Sequence, residues 1–187
     1  ARLDALVMSH AHPDHARGLP RLIQRFRPRE FWWAGIGGDG PAWRAVEQAL
    51  AASGVRVRTL RRGDVPLSDG TTVEVLHPPP RWDAATLNDT SLVLAVRAAG
   101  VRVLFTGDVE RRGEDMLRHG GPVESLASDV LKVPHHGSRT SSTPEWLAAA
   151  QPRRAVVSVG ADNPYGLPAP AVFARYETGG ACVLRTD

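Results

Sequence analysis

The chain has 187 residues, 42% hydrophobic and 23% charged, a balance that excludes a disordered chain and allows one well-buried α/β domain over residues 1–187. Its single cysteine, Cys182, excludes an internal disulfide, and no apolar stretch approaches the ~20 residues that a membrane-spanning helix needs. The net charge is +3, and of 23 basic residues only Lys132 is a lysine. The arginines read first as solvated surface and second as a face that tracks phosphates, with Arg21 and Arg25 on one helix face and Arg56 and Arg58 on one side of a strand.

In chain order, residues 3–8 form a short apolar run with the length of a buried strand. It delivers Ser9-His10-Ala11-His12-Pro13-Asp14-His15, which holds three of the chain's seven histidines. Residues two apart near a strand end point the same way, so His10 and His12 are expected to converge on one metal ion. Pro13 bends the chain, and Asp14 and His15 then project toward a second position. Imidazole and carboxylate are ordinary ligands of divalent zinc, manganese and iron. Residues 16–26 read as a helix with Leu19, Leu22, Ile23 and Phe26 on one face.

A strand over 30–33, a helix over 41–52 opened by Pro41 and closed by Gly54, and a strand over 55–60 set a βαβ rhythm. The glycine-rich turn between Gly35 and Gly40 lacks a following Lys-Ser or Lys-Thr and is not a P-loop. Trp32 and Trp33 are neighbours on a strand and face opposite sides. Residues 71–76, 91–97 and 101–105 read as antiparallel strands, with Ala98-Ala99-Gly100 as a hairpin turn.

The last of these strands ends in Thr106-Gly107-Asp108, where Asp108 is either a ligand or the cap of a helix over 110–119. A strand over 129–133 delivers His135 and His136. At most one of these two faces the site and the other packs or caps, while Lys132 reads as pointing outward. The Gly137-Ser138 turn leaves the backbone room for a phosphate. Ser138 is not read as a nucleophile, because no base is placed for it. Helices over 144–150 and 169–176 and strands over 155–159 and 182–184 complete the pattern.

The H-x-H-x-D-H signature after an apolar strand resembles the metallo-β-lactamase superfamily. With Thr106-Gly107-Asp108, Val133-Pro134-His135-His136-Gly137-Ser138 and Asn163-Pro164-Tyr165-Gly166, the chain resembles the hydrolase domain at the C-terminal end of ComEC-type DNA-uptake proteins, over essentially residues 3–187. The resemblance implies an αββα sandwich, here lacking its first strands, so the chain reads as a fragment of a longer, membrane-embedded protein. It implies two divalent metal ions (manganese, zinc or magnesium) bridged by Asp108. The implied metal ligands are His10, His12, Asp14, His15, Asp108, Asn88 and His135, and the implied catalytic residues are Asp14, His135 and His136.

Two positions depart from the superfamily pattern. Where most members carry a histidine ahead of the T-G-D segment, this chain reads Asn88-Asp89-Thr90-Ser91, which fits the ComEC-type group. Asn88 is then either an oxygen ligand or a turn residue. Leu167 stands where ComEC-type domains usually carry a late histidine ligand. The expectation is a weakly loaded second metal position, unless His135 or His136 fills it.

The implied activity is metal-dependent phosphodiester hydrolysis of single- or double-stranded DNA. Its setting is a cell-membrane uptake machine, with this domain soluble and outside the cytoplasm. Its partners would be DNA, the rest of its own chain with its membrane channel segments, and other competence proteins. A catalytically degenerate DNA-guiding domain and a small-molecule thioester or lactam hydrolase are the alternatives.

Overall fold

A computed structural model describes residues 3–64, 67–68, 70–121 and 126–187. Among these residues the strands form two sheets. The smaller is parallel, in the order β1 (Ala5–Val7), β2 (Glu30–Trp33), β3 (Arg56–Thr59). The larger comprises β4 (Leu67–Ser68), β5 (Thr71–His77), β6 (Val93–Ala98), β7 (Val101–Phe105), β8 (Val130–Lys132), β9 (Arg154–Val157) and β10 (Cys182–Arg185), in the order β10-β9-β8-β7-β6-β5-β4. Its β4–β7 half is antiparallel and its β7–β10 half is parallel.

Apolar side chains sort into three layers of core, which makes the architecture an αββα sandwich. Met8 and Phe31 pack against α1 (Pro13–Ala16), α2 (Leu19–Phe26) and α3 (Pro41–Ser53) through Ala16, Ile23 and Val46. Trp32 and Leu60 meet Val73, Val75, Leu92 and Leu94 between the sheets. Leu104, Leu131 and Val157 pack outward on α4 (Arg111–His119), α5 (Pro144–Ala150) and α6 (Pro170–Thr178) through Leu117, Trp146 and Tyr176. β2 is apolar on both faces because both are covered. Phe31 enters the helix layer, Trp32 enters the inter-sheet layer, and Trp33 stacks on Trp43 with ring centroids 4.7 Å apart.

The expected helix over 16–26 is instead two helices. Pro20 sits in the first turn of α2, where its missing N–H costs nothing; in a continuous helix its ring would clash with the carbonyl of Ala16. The break leaves Leu19 and Ile23 buried and turns Leu22 to solvent. The Ala98–Val101 hairpin closes as expected, with Ala99 (φ 48°) and Gly100 (φ 77°) both left-handed, as a two-residue primed turn requires. β1 is an edge strand of the smaller sheet. Beside it the inter-sheet layer opens into a cleft of about 620 Å³ lined by Val7, Trp32, Leu94 and Phe105. Among the described residues no helix is long and apolar enough to cross a membrane.

Candidate metal centre

The C-terminal ends of β1, β7 and β8 deliver their loops to one place at the top of the sandwich. The loop after β1 carries His10, His12, Asp14 and His15; the turn after β7 carries Asp108; a tight turn over Pro134–Gly137 after β8 carries His135 and His136. Asp108 Oδ2 is the common point. It lies 3.1 Å from His15 Nε2, 3.2 Å from His136 Nε2 and 3.9 Å from His10 Nε2. On one side His10 Nε2 and His12 Nδ1 are 3.1 Å apart. On the other, donor atoms of Asp14, His15, Asp108 and His136 all lie within 4.8 Å of one another.

These donors suit divalent metal ions. His10 Nε2 faces His12 Nδ1, and His15 Nε2 faces His136 Nε2 at 3.2 Å. Two unprotonated ring nitrogens cannot satisfy each other, whereas a cation between them satisfies both. The outward nitrogens are pinned as well. Ser9 Oγ lies 3.2 Å from His10 Nδ1 and 3.1 Å from His15 Nδ1, and its two lone pairs can accept both N–H bonds. His136 Nδ1 donates to the Ser158 carbonyl at 2.5 Å. In the neutral ring each bond selects the tautomer that leaves Nε2 as a lone pair toward the centre, free for a cation; in the protonated ring His15 and His136 instead donate from Nε2 to Asp108.

The electrostatics point the same way. Burial, then the neighbouring His15, holds the His10 imidazole down at about 3, so it is neutral at physiological pH. Burial would raise the Asp108 carboxyl, but hydrogen bonds from His136 and His15 and the charge of Lys132 outweigh it and keep Asp108 well below the usual carboxylate range. The Asp108 carboxylate in turn raises His136 against its burial. His135 moves the other way, pushed down chiefly by burial.

Lys132 corrects the expectation of an outward-pointing side chain. Its Nζ donates to the Gly107 carbonyl at 2.7 Å and to Asp108 Oδ1 at 3.1 Å. Asp108 therefore spends one oxygen on the histidine cluster and the other on a lysine. Gly107 (φ 55°) makes this approach feasible: a Cβ there would meet Ser91 Oγ at 2.6 Å and Ser9 Cβ at 3.1 Å. Ser91 Oγ accepts the Asp108 N–H at 2.9 Å and sits 3.4 Å from His10 Nδ1.

Of the expected ligands, His10, His12, Asp14, His15 and Asp108 are brought together. Asn88 uses its Nδ2, 3.4 Å from Glu110 Oε1, in a short 3-10 turn whose next residue, Asp89, accepts the Glu110 N–H, while its Oδ1 is buried without a hydrogen-bond partner among the described residues. His135 is outside the convergent group, because His136 takes that place. His135 and His136 are consecutive left-handed residues (φ 47° and 54°), and the resulting sharp turn sends the two rings apart. His135 Nδ1 lies 3.2 Å from Thr140 Oγ1 and 3.4 Å from Glu110 Oε1, on the wall of the same cleft. Sequence reasoning passed over Ser9 and Ser91, although Ser9 precedes the first histidine directly, and read Lys132 outward although it stands three residues before His135. Arg56 and Arg58 lie 3.6 and 3.0 Å from Glu30, and the Arg56 side chain remains 76% exposed, in keeping with the first reading of that face as solvated surface.

Leu167 lines the metal cleft of about 580 Å³ together with His12, Asp14, Asp108 and His136. His136 supplies a nitrogen on that side, which favours compensation there over weak loading of the second position. Leu167→His is expected to leave manganese affinity, measured by calorimetric titration, within about twofold of the parent. His136→Ala is expected to weaken it by at least the 10- to 100-fold that loss of a ligand's supporting partner costs. Tighter binding in Leu167→His would show that position 167 faces the ions.

The sequence matches the metallo-beta-lactamase superfamily over residues 1–161. The whole chain is 33% identical to ComE operon protein 3 of Bacillus subtilis and 36% identical to competence protein ComA of Neisseria gonorrhoeae, and spans 24% of the length of each. Among solved structures, CmlA, a diiron beta-hydroxylase from Streptomyces venezuelae, shares the fold with a TM-score of 0.62 at 14% identity, over 98% of this chain and 44% of that one. The histidine motif, the shared aspartate at a strand end and the αββα layers thus agree with the sequence match, and the chain belongs to the metallo-beta-lactamase superfamily.

Proposed function

We propose that residues 1–187 form one hydrolase domain that cleaves phosphodiester bonds of DNA with two divalent metal ions, manganese or zinc, within a DNA-uptake apparatus. The observation that carries this reading is the single carboxylate oxygen of Asp108 standing between two groups of donors, His10 and His12 on one side and Asp14, His15 and His136 on the other. Two cations held there would supply Lewis-acid stabilisation of both oxygens in an in-line displacement at phosphorus. Asp14, 62% exposed at the mouth, orients the attacking water and accepts its proton. His135, whose Nδ1 can accept from the Thr140 hydroxyl at 3.2 Å, then carries its proton on Nε2 and hands it to the leaving oxygen. Lys132 holds Asp108 by its second oxygen, so the shared oxygen does not swing away.

The choice of DNA rests on whole-chain similarity to a protein named for competence, ComA of Neisseria gonorrhoeae. The reading places the domain on the outer face of a membrane, with the remainder of a longer chain, its channel segments and other competence proteins as partners. The test is a substrate panel with manganese: single- and double-stranded DNA, a β-lactam and a thioester. DNA cleavage that a chelator abolishes and manganese restores is the expected result. Hydrolysis of the lactam or thioester alone would replace this reading with the small-molecule one, and metal binding with DNA retention but no cleavage would replace it with a DNA-guiding role.

A further inference from the structure

Tyr165 is the most exposed large side chain with an apolar body among the described residues, at 81%. It makes no hydrogen bond, ion pair or ring contact there, so nothing in the packing accounts for it. Its loop is nevertheless firmly built. Asn163 Oδ1 accepts the Leu167 N–H at 2.9 Å, while Asn163 Nδ2 donates to the Leu167 carbonyl at 2.9 Å and to the Gly160 carbonyl at 3.2 Å. Gly166 (φ 62°) makes the left-handed turn that the loop needs after the tyrosine. A fixed frame thus holds an aromatic ring out into solvent.

The position of the ring is specific. Tyr165 is a wall shared by two hollows. One is the metal cleft, with Arg17 and Ser138 on its walls. The other, of about 350 Å³, lies against Ser158, Val159, Gly160 and Asn163 and shares Asp14, His136 and Leu167 with the first. A chain of nucleotides with one phosphate at the Asp108 cluster would bring the adjoining base to the tyrosine, and Arg17 would meet its backbone charge.

We propose that Tyr165 stacks on a nucleobase, that the hollow behind it seats this base next to the scissile phosphate, and that the substrate is accordingly single-stranded nucleic acid. This rests on the phosphodiesterase reading above. In a duplex the faces of each base are covered by its neighbours, so only an unpaired or extruded base offers a face to a ring. Stacking on one aromatic ring tolerates any base, which suits an enzyme that must accept DNA of any sequence.

The test measures binding by fluorescence anisotropy in chelator, so that neither metal loading nor cleavage enters. The probes are a labelled oligothymidylate, an abasic strand of the same length, and a duplex. Tyr165→Ala should weaken oligothymidylate binding about tenfold, within the range that loss of a stacking ring produces, and leave the abasic strand and the duplex unchanged. Tyr165→Phe should bind as the parent does. Parent-like binding of oligothymidylate by Tyr165→Ala, or an equal loss on the abasic strand, would overturn the proposal, as would failure of the parent to distinguish the two strands. Hydrolysis of bis(p-nitrophenyl) phosphate with manganese, measured alongside, separates the two readings. Hydrolysis without base-dependent binding sinks the stacking role alone, and base-dependent binding without hydrolysis sinks the phosphodiesterase reading alone.

Discussion

Asp14→Asn is expected to slow manganese-dependent DNA cleavage by about 10²- to 10⁴-fold, the range over which a positioned acid or base contributes, and to leave the fold untouched. Asp14 is 62% exposed at the rim, and exposed substitutions change stability by about 0.5 kcal/mol or less, a shift of roughly 2 °C at most for a chain of this length. Asp108→Ala should, unlike Asp14→Asn, lower stability even without metal. Asp108 is 2% exposed and holds Lys132, whose side chain is 18% exposed, together with His15 and His136. Removing it strands a mostly buried ammonium, and breaking a buried pair from one side costs about 3 kcal/mol or more. Thermal unfolding in chelator, with cleavage assays in manganese, separates the two carboxylates. Undiminished cleavage by Asp14→Asn would place the chemistry elsewhere or expose a contaminating nuclease. An unchanged melting temperature for Asp108→Ala would mean that Asp108 is not the electrostatic centre of the site.

The contrast between these carboxylates shows what the sequence could convey. His10, His12, Asp14 and His15 were legible because all four lie in one turn, where local geometry alone decides which way each side chain leaves the strand. Asp108 was legible from its place at a strand end. The choice between His135 and His136 was not, because it depends on two successive left-handed residues, and nothing local in Pro134-His135-His136-Gly137 demands them. Ser9 and Ser91 were missed, and Lys132 misread as pointing outward, for a related reason. A hydroxyl or ammonium acquires its role only through a partner far along the chain, such as Asp108 for Ser91, and short spacing rules do not register that distance. The layers of the sandwich were easier to read, since apolar runs bounded by glycine and proline mark strands and helices directly. Pro20 misled, splitting a helix whose apolar face was otherwise continuous, and the two-residue β4 was too short to leave a pattern.

His77 makes stability depend on pH well away from the donors themselves. It is 1% exposed at the end of β5, its Nδ1 donates to the Ser91 carbonyl at 2.9 Å, and its Nε2 has no hydrogen-bond partner among the described residues. Burial pushes it down from 6.5 to about 4, with the Ser91 carbonyl opposing and the charge of Arg62 adding to the shift. Above pH 6.5 the ring is neutral in both folded and unfolded chains and costs nothing. Between pH 6.5 and 4 the unfolded chain takes up a proton that the folded one refuses, so stability falls as pH falls. At 1.36 kcal/mol per unit, the loss reaches about 3 kcal/mol by pH 4. His10 adds a loss of the same sign in the metal-free protein, while Asp89 and Glu114, both raised by burial, act with the opposite sign around their own titration. The informative quantity is therefore a difference between two proteins. His77→Asn keeps an N–H for the Ser91 carbonyl and does not titrate. Urea unfolding in chelator from pH 7.5 to 4.5 should show the parent losing stability faster than His77→Asn, with the two curves converging by about 2–3 kcal/mol across that window. Parallel curves would mean that His77 is protonated as readily in the folded chain as in the unfolded one. The consequence reaches the metal centre, because the Ser91 that His77 holds is the residue whose Oγ accepts the Asp108 N–H. Acid that unseats His77 loosens the carboxylate that both halves of the site share.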